Sequence, residues 1–86
     1  MSVVMATPLC LPREIDVRVN GRGEPAAVTR NGKRSRVAAI QGTWRIDDEW
    51  WRETISRRYF QVELQGGPVL TIFRDLVADR WYQQRY

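Results

Sequence analysis

The stretch from Arg57 to Arg74 reads Arg-Arg-Tyr-Phe-Gln-Val-Glu-Leu-Gln-Gly-Gly-Pro-Val-Leu-Thr-Ile-Phe-Arg. Phe60, Val62 and Leu64 recur at every second position. A strand over Arg57 to Gln65 therefore carries all three on one face and Tyr59, Gln61 and Glu63 on the other. Gly66-Gly67 tolerates the positive φ of a tight hairpin turn, and Pro68 to Arg74 returns as the next strand.

Towards the N-terminus the same signals repeat. Glu14 to Asn20 alternates strictly, with Ile15, Val17 and Val19 on one face and charges on the other, the mark of a half-buried strand. Asn20 to Pro25 supplies a turn, Ala26 to Arg30 a second strand, and Asn31-Gly32 a two-residue hairpin leading into a strand from Lys33 to about Gln41. Gly42 then interrupts the pattern before Thr43-Trp44-Arg45-Ile46. From Asp47 the period changes. Asp47 can cap a helix with Asp48 and Glu49 in its first turn, and Ile46 and Trp51 stand in the staple positions, so the sequence predicts about two helical turns over Asp48 to Thr54. Towards the C-terminus, Asp75 to Asp79 reads as a turn and Arg80 to about Arg85 as the last strand.

Short strands with regular turn signals predict an all-β fold with one short helix. Its form would be a small antiparallel SH3-like barrel, or a curled meander, of five to six strands. At 86 residues the chain is one domain near the lower end of sizes that fold without metals or disulfides. Its four tryptophans, three tyrosines and two phenylalanines supply the large side chains that a small core needs. Residues 1–12 read as a flexible apolar arm and 13–86 as the β domain. The arm could dock on a partner or a second copy, so the expected state is a monomer or a weak homo-oligomer formed through it. The arm lacks a basic n-region and a cleavage site, and no stretch approaches a membrane span, which points to the cytoplasm.

The chain has one cysteine, Cys10, and no histidine, so neither an internal disulfide, a Cys/His zinc site nor a histidine-based triad can form within it. Asp47, Asp48, Glu49 and Glu53 are explained by helix capping, without a metal. No cofactor, metal or catalytic residue is expected. Fourteen Lys and Arg against ten Asp and Glu give a formal charge of +4, and all but one of the cations are arginine. Guanidinium groups suit phosphates and stack on rings. Genome composition or a warm habitat would also raise arginine. Arg34, Arg36, Arg57 and Arg58, with Tyr59, Arg80 and Tyr82, pair cations with rings in the manner of small barrels that hold nucleic acid. The opposing reading is a solvated sheet face whose arginines pair with Glu63, Asp75 and Asp79. Adjacent Trp50 and Trp51 cannot both face one core from a short helix, which makes them candidate anchors for a protein partner.

The series Trp44-Arg-Ile-Asp-Asp-Glu-Trp-Trp, Arg58-Tyr-Phe-Gln-Val-Glu-Leu, Leu70-Thr-Ile-Phe-Arg-Asp-Leu and Arg80-Trp-Tyr resembles the C-terminal segment of ImuB-type proteins. These are relatives of the Y-family DNA polymerases that act in damage-induced mutagenesis. The resemblance extends to short stand-alone proteins of the same, functionally undefined domain family, and covers roughly Arg13 to Tyr86. The polymerase palm, fingers and thumb are absent, so no catalytic residue carries over. The resemblance implies an accessory role near DNA repair or translesion synthesis, contacting DNA or a repair polymerase-like protein. The alternative is an interaction adaptor that docks through an exposed tryptophan of the helix or the apolar arm, without nucleic acid.

Overall fold

The computed structural model describes residues 12–50 and 53–84, the side chains of 48–50 and 53 excepted. Six strands follow one another: β1 (Arg13–Val19), β2 (Pro25–Arg30), β3 (Lys33–Trp50), β4 (Glu53–Leu64), β5 (Val69–Asp75) and β6 (Arg80–Gln83). Each pairs antiparallel with the next, and β6 returns to β1 through Arg13–Gln83, Glu14–Tyr82 and Ile15–Trp81. Of the two expected forms the structure is the barrel: each strand follows its neighbour as in a meander, and pairing of the first with the last closes them and removes two sheet edges.

Turn chemistry sets the register. Asn31 and Gly32 take positive φ of 51° and 77°, the pair of left-handed residues that a two-residue hairpin needs to match strand twist. Gly66 and Gly67, at positive φ of 100° and 108°, turn a longer loop between β4 and β5, which the Leu64 N–H closes on the Pro68 carbonyl at 2.8 Å. With these turns fixed, the alternating positions converge. Ile15, Val28, Phe60, Val62, Leu64, Leu70 and Ile72 form the buried core, and Val17, Val37, Ile40 and Trp81 pack partly buried against it.

Two expectations are corrected in β3. Gly42 does not end a strand. The chain runs on from Lys33 to Trp50, and the register slips between Val37 and Ala39 and again between Ile40 and Gly42. Such bulges insert an extra residue and bend the strand, so one strand can turn the barrel's corner. The helix expected over Asp48 to Thr54 is not formed by its described residues either: 48–50 and 53–54 are strand. Thr43 to Trp50 pair residue for residue with Phe60 to Glu53, and β3 and β4 form one long hairpin whose tip, 51–52, lies outside the described residues. An isolated two-turn helix carries a nucleation cost with few bonds to offset it. Extended, the same residues gain a full ladder, in which β-branched Thr54 and Ile55 sit well. Asp47 takes the Ser56 hydroxyl instead of capping a helix.

Candidate functional site

β4 presents Phe60, Val62 and Leu64 to the barrel interior, so Arg57, Tyr59 and Gln61 face outwards. Register then assembles what no single strand contains. Trp44 lies opposite Tyr59, Tyr59 opposite Phe73, and Phe73 opposite Tyr82. The four rings form one row across β3, β4, β5 and β6, with centroids 5.4, 4.9 and 5.3 Å apart. Trp44 and Tyr59 are parallel to within 4°.

Tyr59, expected as an exposed stacking ring, is buried, and Phe73 beside it is only 1% exposed, although both stand on the outside of the barrel wall. Their neighbours in the row cover them. The Arg57 guanidinium completes the cover, lying 4.6 Å above the Phe73 ring and donating through Nη1 to the Tyr59 hydroxyl at 3.3 Å. Arg57 is thus partly a lid on a second apolar layer. The ends of the row stay open: Trp44 is 43% exposed, Tyr82 is half-buried, and Ile46, two residues from Trp44 on the same face, is 42% exposed. Pro12, Arg57, Phe73, Asp75 and Tyr82 line a shallow depression at the β6 end.

The remaining predicted residues do not join this row. Arg80 stands near it, opposite Asp75 and 3.6 Å from Glu14. Arg58 shares the face of Phe60, over whose ring it lies at 5.2 Å, and sits between Arg45 and Arg74 in a cross-strand line of three cations. Like charges directly opposite repel. Asp47 offsets the repulsion at Arg45, and Asp79 does so at Arg74 with contacts of 3.0 and 2.5 Å. Arg34 and Arg36 pair with Thr29 and Ala27 of β2, on a different part of the wall. The single basic surface expected from Arg34, Arg36, Arg57, Arg58, Tyr59, Arg80 and Tyr82 is therefore three separate places. Of the tryptophans expected as anchors, Trp50 ends β3 opposite Glu53 with its side chain outside the description, and Trp51 lies outside the described residues. Trp44 and Phe73 are the residues that sequence reasoning missed. Their shared face appears only once β3, β4 and β5 are in register.

In the outer half of the β3–β4 hairpin, the Ser56 hydroxyl donates to Asp47 at 2.6 Å and accepts from Arg45 at 3.3 Å, while Arg45 Nε meets the other Asp47 oxygen at 2.7 Å. Hydroxyl donation from Ser56, then the Arg45 guanidinium, hold the Asp47 carboxyl below its ordinary range. A lowered folded pKa means that the contribution is present above the unfolded value of about 3.9 and is lost as pH falls through the lower folded one. Titration of the Asp47 carboxyl by NMR is expected to give a midpoint below that of free aspartate, and Ser56→Ala to move it upwards. A midpoint already at the free value would mean that the network does not form in solution. Among the described residues, no three His, Cys, Asp or Glu side chains gather as a metal site.

Comparison of the chain with models of known protein families, with curated proteins and with solved structures finds no match in any of the three.

Proposed function

We propose that the barrel is a non-enzymatic binding module that takes single-stranded nucleic acid on its outer β3–β6 face. The observation that carries this reading is the aromatic row itself: four rings in contact, stacked at Trp44–Tyr59 and Phe73–Tyr82 and tilted by 36° between them, end in a Trp44 that is 43% exposed, with arginines on the neighbouring positions. An open indole at the end of a rigid stack offers a base a ring already held in place, and stacking of this kind contributes roughly 1 to 3 kcal/mol per base. Arg57 and Arg80 lie one pair along the same strands, opposite Ile46 and Asp75, where they could meet the backbone phosphates. The net charge of +4 favours a polyanion over an acid-free surface. DNA as the ligand, and a repair or translesion polymerase as the neighbouring protein, rest on the sequence resemblance to ImuB-type C-terminal segments.

One observation favours a second reading. Trp44 and Ile46, at 43% and 42% exposure, form an adjacent apolar pair on one face. That pair would suit a protein adaptor, in place of Trp50 and Trp51.

Fluorescence anisotropy with labelled single-stranded and duplex DNA, at low and physiological salt, tests the proposal. Micromolar binding that prefers the single strand and weakens with salt is expected. No binding at low salt would sink the nucleic-acid reading and leave the adaptor.

A further inference from the structure

The barrel closes, yet β3 keeps an open side. β2 covers it only from Lys33 to Arg36, and β4 covers the other side from Val37 to Trp50. Beyond Val37, no described strand pairs with the second side. The bulges near Ala38 and Gln41 blunt the part closest to the barrel. Past Gly42 the strand runs in regular register to Trp50 with its edge bare among the described residues.

The direction of the backbone groups on that edge follows from the opposite strand. Ser56 turns its carbonyl to the Leu76 N–H on the β5 side, at 2.9 Å. Ser56 and Asp47 are therefore a pair that exchanges no backbone bonds, and Asp47 points its own N–H and C=O to the open side. Antiparallel ladders alternate, so Arg45 does the same. The exposed edge thus reads Arg45-Ile46-Asp47, with a cation and an anion on either side of an aliphatic residue that is 42% exposed.

This tripeptide is complementary to itself when reversed. We infer that the open edge of β3 pairs antiparallel with the same edge of a second copy of the chain, centred on Ile46. Arg45 of each copy then faces Asp47 of the other and exchanges both backbone hydrogen bonds with it, while the two Ile46 side chains meet at the narrow pair between them. The arrangement has twofold symmetry, with one patch used by both copies. Centring one residue earlier would set Arg45 against Arg45, and one residue later Asp47 against Asp47. A shift of face would pair Ile46 with a charge. Of these registers, the one centred on Ile46 alone sets cation against anion and keeps the faces matched. Each Arg45 already holds its own Asp47 at 2.7 Å, so the dimer would join two ion pairs into a ring of four alternating charges. The outer faces of the two copies become continuous, which brings both Trp44 rings onto one surface. The inference rests on the strand edge and stands whether or not nucleic acid binds there.

The test is charge reversal in the full-length chain. By sedimentation equilibrium, the wild type is expected to approach twice its 10.1 kDa mass at high micromolar concentration. Amide exchange at Arg45 and Asp47 should slow as concentration rises. Asp47→Arg alone and Arg45→Asp alone each turn two attractive pairs into two repulsive ones and should weaken the dimer by roughly tenfold or more. Mixed in equal amounts, these two variants regain both attractive pairs and should associate again. Unchanged circular dichroism would show that each variant has kept its fold. A wild type that stays at the single-chain mass at millimolar concentration would overturn the inference. So would a dimer that persists undiminished in both reversed variants, or variants that fail to associate on mixing.

Discussion

Phe73→Ala is expected to destabilise the domain by about 3 to 5 kcal/mol, as much as a deep core phenylalanine. Phe73 is on the outside of the barrel wall, where alternation would place a solvated residue. It is nevertheless 1% exposed, with Tyr59 at 4.9 Å, Tyr82 at 5.3 Å and the Arg57 guanidinium at 4.6 Å. Removing the ring opens a cavity beneath three groups that cannot collapse without leaving their strands. For a domain of this size such a loss lowers the melting temperature by roughly 12 °C or more, and it is a large share of the about 5 to 15 kcal/mol that separates folded from unfolded chains. Val69→Ala, on the same strand and face but 46% exposed, should stay within about 0.5 kcal/mol of wild type. Chemical denaturation of both variants checks the contrast. A Phe73→Ala protein as stable as Val69→Ala would mean that the aromatic row is loose decoration on the sheet rather than a second packed layer.

The same row shows where reading the sequence works and where it stops. Period-two spacing marks the strands β1 and β4, and Asn31-Gly32 and Gly66-Gly67 mark the hairpins between β2 and β3 and between β4 and β5, because alternation and turn geometry are local properties of the chain. Ile15, Phe60, Val62 and Leu64 of the core follow from that spacing, whereas Val19, expected on the face of Ile15, is 42% exposed beyond a slip of register at Arg18–Val19, and the inward places of Val28, Leu70 and Ile72 come from the closed sheet. What a residue meets across a ladder is not local. Tyr59 reads as exposed because its own strand points it outwards, and it is buried because Trp44 and Phe73 arrive beside it from other strands. The run Asp47-Asp48-Glu49 satisfies helix-start chemistry taken alone, and the ladder with Thr54, Ile55 and Ser56 outweighs it only once β4 is in place. Gly42 has a similar explanation. A glycine that would end a straight strand is, in a strand that bends around a barrel, one side of a bulge.

Trp44→Ala is expected to weaken single-stranded DNA binding by roughly 5- to 150-fold, the equivalent of one lost base stack of about 1 to 3 kcal/mol. The folded state should lose less than at Phe73, because the indole is 43% exposed and touches the row on one side. Stacking is not an ionic interaction, so the fold-loss should be the same at low and physiological salt. Arg80→Ala should instead flatten the salt dependence, since a phosphate contact is what it would remove. Arg57 cannot serve that purpose: it lies over Phe73 and bonds Tyr59, so its removal disturbs packing and binding together. Unaltered DNA affinity in Trp44→Ala would take the sheet face out of nucleic-acid binding. If the same variant then lost association with a protein, with little response to salt, the exposed Trp44–Ile46 pair would be an adaptor's anchor, and the arginines would belong to the fold.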